Sequence, residues 1–240
     1  MNISNKTVDI RCLKNYRCAI IIATVSHHEL AEYQNKECIS MNILAIVGSP
    51  RKGKATDTLV DKAIEGVKAK HADAVVTKIN LADYDIHYCK NCLTCRDRDT
   101  EEPLSKCIIK DDMPQIYEEI LKSDALILGT PVHSGYVTAL MMIFLERITW
   151  TFAKPAKSYL TISGCPLPRS EKKRKSVIIV TSGIIPPLYR KFCDWATTCI
   201  KSIIRDSLNA KTFGDLYAGD IEHRGVEYYY DKAYRLGMKL

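Results

Sequence analysis

The chain has 240 residues, of which 46% are hydrophobic, so one domain with a sizeable core or two small domains are expected. Its formal net charge of +7 comes almost wholly from residues 154–175, which contain seven cations and one acid. A single basic loop on an otherwise neutral chain argues against a nucleic-acid-binding face, and no apolar segment is long enough to span a membrane. The cysteines do not form the pattern of a secreted disulfide framework, which indicates a reducing, cytoplasmic environment.

Residues 1–40 show no clear periodicity. The apolar run Cys18–Val25 follows three cations, as in a signal peptide, but it is short even for a signal core. The first strong strand pattern begins directly after Met41. We therefore expect residues 1–40 to be a dispensable extension; the alternative is an extra edge strand at 18–25.

From residue 41 onward, apolar runs alternate with segments of helical spacing. The runs predict strands at about 42–48, 73–80, 124–129, 176–181 and 211–216, and the segments predict helices at about 56–70, 113–122, 137–152, 188–206 and 225–238. Asp112, Pro114 and Gln115 are typical of a capped helix start. This alternation predicts one α/β domain at 41–240, a doubly wound five-stranded parallel sheet with helices on both faces.

The turn between the first strand and the first helix has the composition of a phosphate-binding loop. Residues 48–54 contain two glycines and three cations, and a helix N-terminus offers free backbone N–H groups to an anion. The loop has the spacing of neither a P-loop nor a dinucleotide fingerprint, so it favours a phosphate monoester such as that of FMN. The alternative is an ordinary turn before a capped helix. The side chains assigned to this site are Ser49, Arg51, Lys52, Thr56 and Thr58.

Two further loops follow the third and fourth predicted strands. Residues 130–136 combine proline, glycine and polar side chains, and residues 181–183 have a similar composition. Each loop alone fits ordinary turn chemistry. In a doubly wound sheet the carboxyl ends of the strands share one edge, where ligands bind, so the three loops together predict one site.

Four cysteines gather in the polar loop 89–107, which follows the second strand. Cys89, Cys92 and Cys95 are spaced by two residues, and eleven residues separate Cys95 from Cys107. Four thiolates in such a loop suit a [4Fe–4S] cluster or a structural zinc ion, and four free thiols are the third alternative. Exposed free thiols are prone to oxidation, which favours a metal-bound state.

These motifs together resemble the flavodoxin-like NADPH-dependent FMN reductase family, in particular its iron–sulfur flavoprotein branch, over about residues 41–220. The matching motifs are Gly48-Ser49-Pro50-Arg51-Lys52-Gly53 with Thr56, the four cysteines with Asp111-Asp112-Met113, and Thr130-Pro131-Val132-His133 with Phe144-Leu145-Glu146-Arg147. The resemblance implies that Ser49, Arg51 and Thr56 hold the FMN phosphate. The residues it implies around the isoalloxazine ring are Pro131, Val132, His133, Ser134, Gly135, Thr181, Ser182 and Gly183.

The resemblance implies an FMN-dependent oxidoreductase that passes electrons through FMN to a small acceptor such as a quinone or an oxygen species. The four cysteines would hold a [4Fe–4S] cluster, although Cys107 stands farther from Cys95 than in relatives. NAD(P)H or a ferredoxin-like protein would be the donor, and the assembly a dimer or tetramer. No side chain is expected to act as a nucleophile or a base.

Two alternatives remain open: a non-enzymatic flavodoxin-type electron carrier, and a zinc-stabilised binding module without flavin. The basic loop around Arg169 and residues 172–175 is either solvated or a docking patch. Such a patch would receive an acidic carrier or the extra phosphate of NADPH.

Overall fold

A computed structural model of the protein describes residues 40–98, 100, 102–156 and 164–240. The strands are β1 (Asn42–Val47), β2 (Val75–Asn80), β3 (Ala125–Pro131), β4 (Ala153–Pro155), β5 (Pro166–Pro168), β6 (Arg174–Thr181) and β7 (Ala210–Ala218). The helices are α1 (Ala55–Lys70), α2 (Thr94–Asp97), α3 (Met113–Lys122), α4 (Ala139–Phe152), α5 (Arg190–Cys193), α6 (Trp195–Leu208), α7 (Ile221–Arg224) and α8 (Tyr230–Gly237). None of these helices is long and apolar enough to cross a lipid bilayer.

Five strands form one parallel sheet in the order β2-β1-β3-β6-β7. This is the flavodoxin-like order, whose topological switch point lies between β1 and β3. The prediction of a doubly wound five-stranded parallel sheet is therefore confirmed.

Alternate residues of the strands point to opposite sides of the sheet, so apolar side chains lie on both faces. Helices cover both of these faces. On β1, Leu44 and Ile46 belong to one apolar core, which also contains Phe144 of α4 and Ile200 of α6. The neighbouring residue Ala45 belongs to the other core, beneath α1 and α8. The sheet is thus a rigid platform that presents the loops after β1, β3 and β6 at one edge.

The structure differs from the predicted elements at three places. The predicted helix 188–206 is divided into α5 and α6, because the Asp194 side chain accepts a hydrogen bond from the Thr197 N–H (2.9 Å) and starts a new helix. The predicted helix 225–238 begins later, as α8, since Gly225 adopts a φ of +77° and ends α7. The hairpin of β4 and β5 was not predicted.

The expectations for the N-terminal segment concern residues outside the described part of the chain. Both the dispensable extension and the alternative strand at 18–25 remain predictions. The main sheet begins at Asn42, directly after Met41.

Candidate functional site

The loop after β1 is held close to the neighbouring strand and to α4. The Gly48 N–H donates to the Gly129 carbonyl of β3 (2.8 Å). A Cβ atom on Gly48 would lie 2.7 Å from the Cβ of Met141, so only glycine allows this close approach. The buried Ser49 hydroxyl accepts a hydrogen bond from the Arg51 N–H (3.1 Å) and shapes the loop from inside.

The loop leads into a helix N-terminus that lacks a side-chain cap. Lys54 precedes the first turn of α1 without a capping side chain, and the first intrahelical bond runs from the Thr58 N–H to the Lys54 carbonyl (2.9 Å). The N–H groups of residues 55–57 precede this bond and lie at the positive end of the helix dipole. This arrangement favours an anion such as a phosphate group.

Some charged side chains of the loop after β1 form ion pairs within the protein, and others have no acidic partner among the described residues. Lys52 forms an ion pair with Asp83, after β2. Arg51 and Lys54 are exposed, and neither has an acidic partner within 4.0 Å among the described residues. Asp57 accepts from the Gly53 N–H (2.6 Å) and pairs with Lys78 (2.6 Å), which compensates its negative charge. The loop therefore keeps two cations available for an anion.

The two threonines expected to contact a phosphate have different positions. The Thr56 hydroxyl is buried and hydrogen-bonded to the Thr181 hydroxyl at the end of β6 (2.7 Å). Thr58 is half-buried, and its N–H is already bonded within the helix. The Thr56 side chain thus joins two of the three loops, while its backbone N–H remains at the helix start.

The loop after β3 contains a tight turn at residues 133–136. The His133 and Tyr136 backbones exchange two hydrogen bonds (2.9 and 3.0 Å), and the central residues Ser134 and Gly135 have φ angles of +51° and +85°. Positive φ at both central positions is typical of a type I′ turn and suits glycine. A Cβ atom on Gly135 would also lie 2.8 Å from the Trp195 ring.

The loops after β3 and β6 border a cavity of about 510 Å³ at the sheet edge that also carries the loop after β1. Its lining includes five of the residues implied to contact a flavin, and it lies where a doubly wound sheet binds ligands. The lining residues are Val132, Ser134, Gly135, Ser182, Gly183, Ile184, Ile185, Phe192, Cys193, Trp195 and Glu222. The volume and the mostly apolar lining suit a ring-shaped ligand with a few polar contacts.

Three residues of this region were missed by the sequence reasoning. The buried Thr138 caps α4 and donates its hydroxyl to the Gly48 carbonyl (2.6 Å), so it joins the loops after β1 and β3. The backbone N–H of Trp195 donates to the Gly135 carbonyl (2.9 Å). Glu222 approaches Gly183 so closely that a Cβ there would lie 2.6 Å from its carboxylate. Only Thr138, directly before a helix, had a recognisable capping signal.

The cysteine loop, residues 89–107, and the residues that flank it make contacts along the length of α4. Buried Arg147 donates to the His87 carbonyl (2.8 Å), and the Ser105 N–H donates to the Thr151 carbonyl (2.7 Å). Thr151 lies twelve residues after Ala139, at which α4 begins, so it is about 18 Å along the helix. The far end of the cysteine loop, at Ser105, therefore lies well along α4 from the end that follows the loop after β3.

A buried ion pair explains this course of the loop. The Asp111 carboxylate pairs with the Arg147 guanidinium, and both side chains are almost completely buried. Burial raises the pKa of Asp111, but hydrogen bonds from Arg147 and the His87 N–H outweigh it and hold the pKa below its usual range. The pair anchors the end of the loop to the middle of α4.

The four thiols of the loop lie near one another without a tight metal site. Burial raises the pKa of the Cys95 thiol, and the neighbouring Cys107, Cys89 and Cys92 raise it further. Within the described residues, no three His, Cys, Asp or Glu side chains converge closely enough to hold a single metal ion. Leu93, which lies between Cys92 and Cys95, has a φ of +60°, which is uncommon for leucine.

Arg169 holds the middle of the cysteine loop. Its buried guanidinium donates to the carbonyls of Cys95 (3.1 Å) and Thr100 (3.0 Å), and its Nε donates to the Ala153 carbonyl (3.0 Å). Arg174 is also buried. The expectation that residues 169–175 form one solvated or docking loop is therefore wrong for both arginines, because their charges are used inside the fold.

Comparison with known proteins places this architecture in a family. The family model described as NADPH-dependent FMN reductase matches residues 41–183. An iron-sulfur flavoprotein of Methanosarcina thermophila is 32% identical over 107 residues, which cover 45% of this chain and 52% of that protein. An iron-sulfur flavoprotein of Archaeoglobus fulgidus is 27% identical over 155 residues, which cover 62% and 67%. The matched part thus spans about half to two thirds of these relatives.

Solved structures with a similar fold include an azoreductase and a quinone oxidoreductase. Azoreductase AzrA has a TM-score of 0.61 at 12% identity, over 83% of this chain and 100% of that one. The NAD(P)H:quinone oxidoreductase from Methanothermobacter marburgensis has a TM-score of 0.58 at 15% identity, over 83% and 98%. These likenesses show the fold. Since the family model covers more than half of its length, the chain belongs to the NADPH-dependent FMN reductase family.

Proposed function

We propose that this protein is an FMN-dependent oxidoreductase that passes electrons from NAD(P)H to a small acceptor such as a quinone or an oxygen species. The observation that supports this most is that an uncapped helix N-terminus and a cavity of about 510 Å³ lie at the same edge of the sheet. The chemistry that bound FMN would supply is acceptance of a hydride from NAD(P)H and delivery of two electrons to the acceptor, which would also take up two protons.

The residues of the three loops fall into two groups, one suited to the phosphate of FMN and the other to its isoalloxazine ring. The N–H groups of residues 55–57, together with Arg51, suit the phosphate monoester. The turn at His133, Ser134 and Gly135 and the end of β6 would position the isoalloxazine ring. The side chains here hold and orient the cofactor, and none of them has to act as a nucleophile or base.

The chemistry of the donor set also fits a [4Fe–4S] cluster held by Cys89, Cys92, Cys95 and Cys107. A zinc ion requires thiolates about 2.3 Å from one centre, and no such convergence is present among the described residues. Four thiolates from one loop are the ligand set that a [4Fe–4S] cluster takes, and the influence of Cys107, Cys89 and Cys92 on the pKa of Cys95 indicates that the four thiols are neighbours. Such a cluster supplies one-electron transfer when bound.

The position of the cysteine loop bears on the electron path. Because Ser105, near the end of the cysteine loop, contacts Thr151 about 18 Å along α4, we expect a long path from this part of the loop to the flavin-type cavity of the same chain. A second copy of the chain in a dimer or tetramer would offer a shorter path between the thiols of one copy and the flavin of the other. A ferredoxin-like protein is the proposed partner for electron delivery through the cluster, and a cytoplasmic location is expected.

The test is purification without oxygen, reconstitution with FMN, iron and sulfide, and measurement of NAD(P)H oxidation with a quinone. The proposal predicts about one FMN per chain and acceptor-dependent turnover. Reduction of bound FMN without turnover would instead favour a flavodoxin-type carrier. Protein that takes up zinc but no FMN would support the binding module and overturn the proposal.

A further inference from the structure

A second cavity lies at the opposite edge of the sheet from the flavin-type site. It has a volume of about 690 Å³ and is bordered by the beginnings of β6 and β7 and by α6. Its lining consists of Lys173, Arg174, Lys175, Lys201, Arg205, Asn209, Ala210, Lys211, Thr212 and Phe213. Seven residue steps of β6 separate Arg174 from Thr181, which is about 23 Å. We call this cavity the basic groove.

The basic groove has an excess of positive charge. Six cationic side chains line it. Lys201 pairs with Asp215 (2.5 Å), and Arg205 pairs with Asp206 (2.6 Å). The exposed Lys173 has no acidic partner within 4.0 Å among the described residues, and the same is true of the exposed Lys211. These two ammonium groups are available to an anion from solution.

Arg174 adds a buried charge without a carboxylate. Its side chain is 3% exposed, and its guanidinium donates to the carbonyls of Leu208 (3.0 Å) and Ile120 (3.1 Å), whereas its Nε has no partner. Burial lowers the pKa of this guanidinium, and the charge of Asp124 offsets the effect only in part. A buried cation whose direct partners are all carbonyls is unfavourable, and an anion bound in the groove would add to the partial compensation by Asp124.

An aromatic surface stands among these charges. Phe213 is 44% exposed, although phenylalanine side chains are usually buried. The Nζ atoms of Lys175 and Lys211 lie 5.5 and 5.6 Å from its ring centre. The groove therefore combines a face for a planar ring with cations for a phosphate group.

We propose that the basic groove binds a nucleoside phosphate whose base stacks on Phe213 and whose phosphate groups meet Lys173 and Lys211, close to the buried charge of Arg174. Stacking on an aromatic side chain and charge-assisted hydrogen bonds to phosphate are the contacts that such a ligand requires. The separation of about 23 Å keeps this ligand from the flavin cavity. The groove is thus a second nucleotide site and does not hold the electron donor.

The test is calorimetric titration of FMN-saturated protein with ADP and, separately, with inorganic phosphate. Saturation with FMN keeps ADP from the phosphate-type loop; protein that takes up no FMN is titrated as purified. ADP should bind more tightly than phosphate. The double variant Lys173→Ala/Lys211→Ala should weaken ADP binding at least tenfold. Phe213→Ala should weaken ADP about tenfold and leave phosphate unchanged.

The matched control is Lys68→Ala/Lys70→Ala, which removes the same charge from the exposed end of α1. It should retain ADP affinity. Absence of ADP binding would overturn the proposal. The proposal would also be overturned if ADP bound no more tightly than phosphate and Phe213→Ala did not change the ADP affinity. An ADP affinity that falls as much in the control as in the Lys173→Ala/Lys211→Ala variant would overturn it as well. ADP binding that appears only in FMN-free protein and is insensitive to Phe213→Ala would place the nucleotide at the flavin cavity and would also overturn the proposal.

Discussion

At the residue scale, the flavin-type site depends on a few side chains with separate tasks. Thr138 and Thr181 make buried hydrogen bonds that hold the three loops together, and Ser49 shapes the loop after β1 from within. Arg51 is exposed and has no acidic partner among the described residues, so it is the side chain best placed to meet a phosphate. Residues that shape the site and residues that bind within it can therefore be separated by substitution.

The substitution Arg51→Ala should weaken FMN binding by about 10- to 100-fold, because a charge-assisted hydrogen bond to phosphate is worth about 1.5–3 kcal/mol. Flavin fluorescence titration measures the change. Arg235→Ala is the control, since it removes the same charge from an exposed ion pair on α8. Equal affinities of the two variants would show that the phosphate is bound elsewhere.

The substitution Thr181→Val should reduce the free energy of unfolding by about 1–3 kcal/mol, because the Thr56 hydroxyl would remain buried without a partner. Thr181→Ser keeps a hydroxyl and should restore most of the loss. Urea unfolding of the three proteins measures both effects. A Val variant as stable as the wild type would mean that this contact does not hold the loops together.

At the element scale, the cysteine loop is attached to α4 by the pair of Asp111 and Arg147 and to the β4–β5 hairpin by Arg169. Loss of either attachment should destabilise the cysteine loop locally and leave the stability of the sheet less changed. The two attachments differ chemically, because one is a buried ion pair and the other a set of hydrogen bonds to carbonyls.

The substitution Asp111→Asn should lower the free energy of unfolding at pH 7 by about 3–5 kcal/mol, because it leaves a buried guanidinium without its carboxylate. The folded-state pKa of Asp111 is depressed, so its contribution is fully present above the ordinary value near 3.8 and is lost as the pH falls through the folded value. The difference in the free energy of unfolding between the wild type and the variant should therefore become smaller below pH 3.8. Urea unfolding at pH 7 and pH 3 tests this, with the exposed Asp231→Asn as a control that changes little.

The substitution Arg169→Ala should loosen the segment around Cys95 and Thr100, whose carbonyls lose their donors. Backbone amide exchange in that segment should accelerate, while β1 and β3 stay protected. Reconstituted protein should also retain less iron. Arg205→Ala, an exposed surface change, is the control. Unchanged exchange around Cys95 would show that the guanidinium does not hold the loop.

The elements of the sheet were predictable because their signals are local. Apolar runs and helical spacing located all five strands of the sheet and the helices that cover it. The division at Asp194, the hairpin of β4 and β5 and the course of the cysteine loop depend on contacts between distant segments. Likewise, Arg169 and Arg174 look like surface cations in the sequence, and only packing shows that they are buried.

At the scale of the whole molecule, the described residues contain the complete five-stranded sheet and all three loops of the flavin-type site. A protein that starts at Met41 should therefore fold and bind FMN with unchanged affinity. Thermal unfolding and flavin titration of this shortened protein test the expectation. Insoluble or flavin-free protein would show that residues 1–40 are part of the fold.

The whole molecule also presents two separate ligand sites in our account. The flavin-type cavity lies at the carboxyl ends of the strands, and the basic groove lies at their amino ends. Occupation of the groove should therefore leave the FMN absorbance spectrum unchanged. Difference spectra of FMN-loaded protein with and without ADP measure this, and a clear shift in the flavin bands would contradict the separation.

The central claim is that the three loops at one sheet edge form an FMN site. The most direct measurement is the FMN content per chain of protein purified without oxygen and then saturated with FMN, for wild type and Arg51→Ala in parallel. Our account predicts about one tightly held FMN per wild-type chain and a much lower content in the variant after dialysis. A wild-type chain that retains no FMN, or a variant that retains as much as wild type, would contradict it.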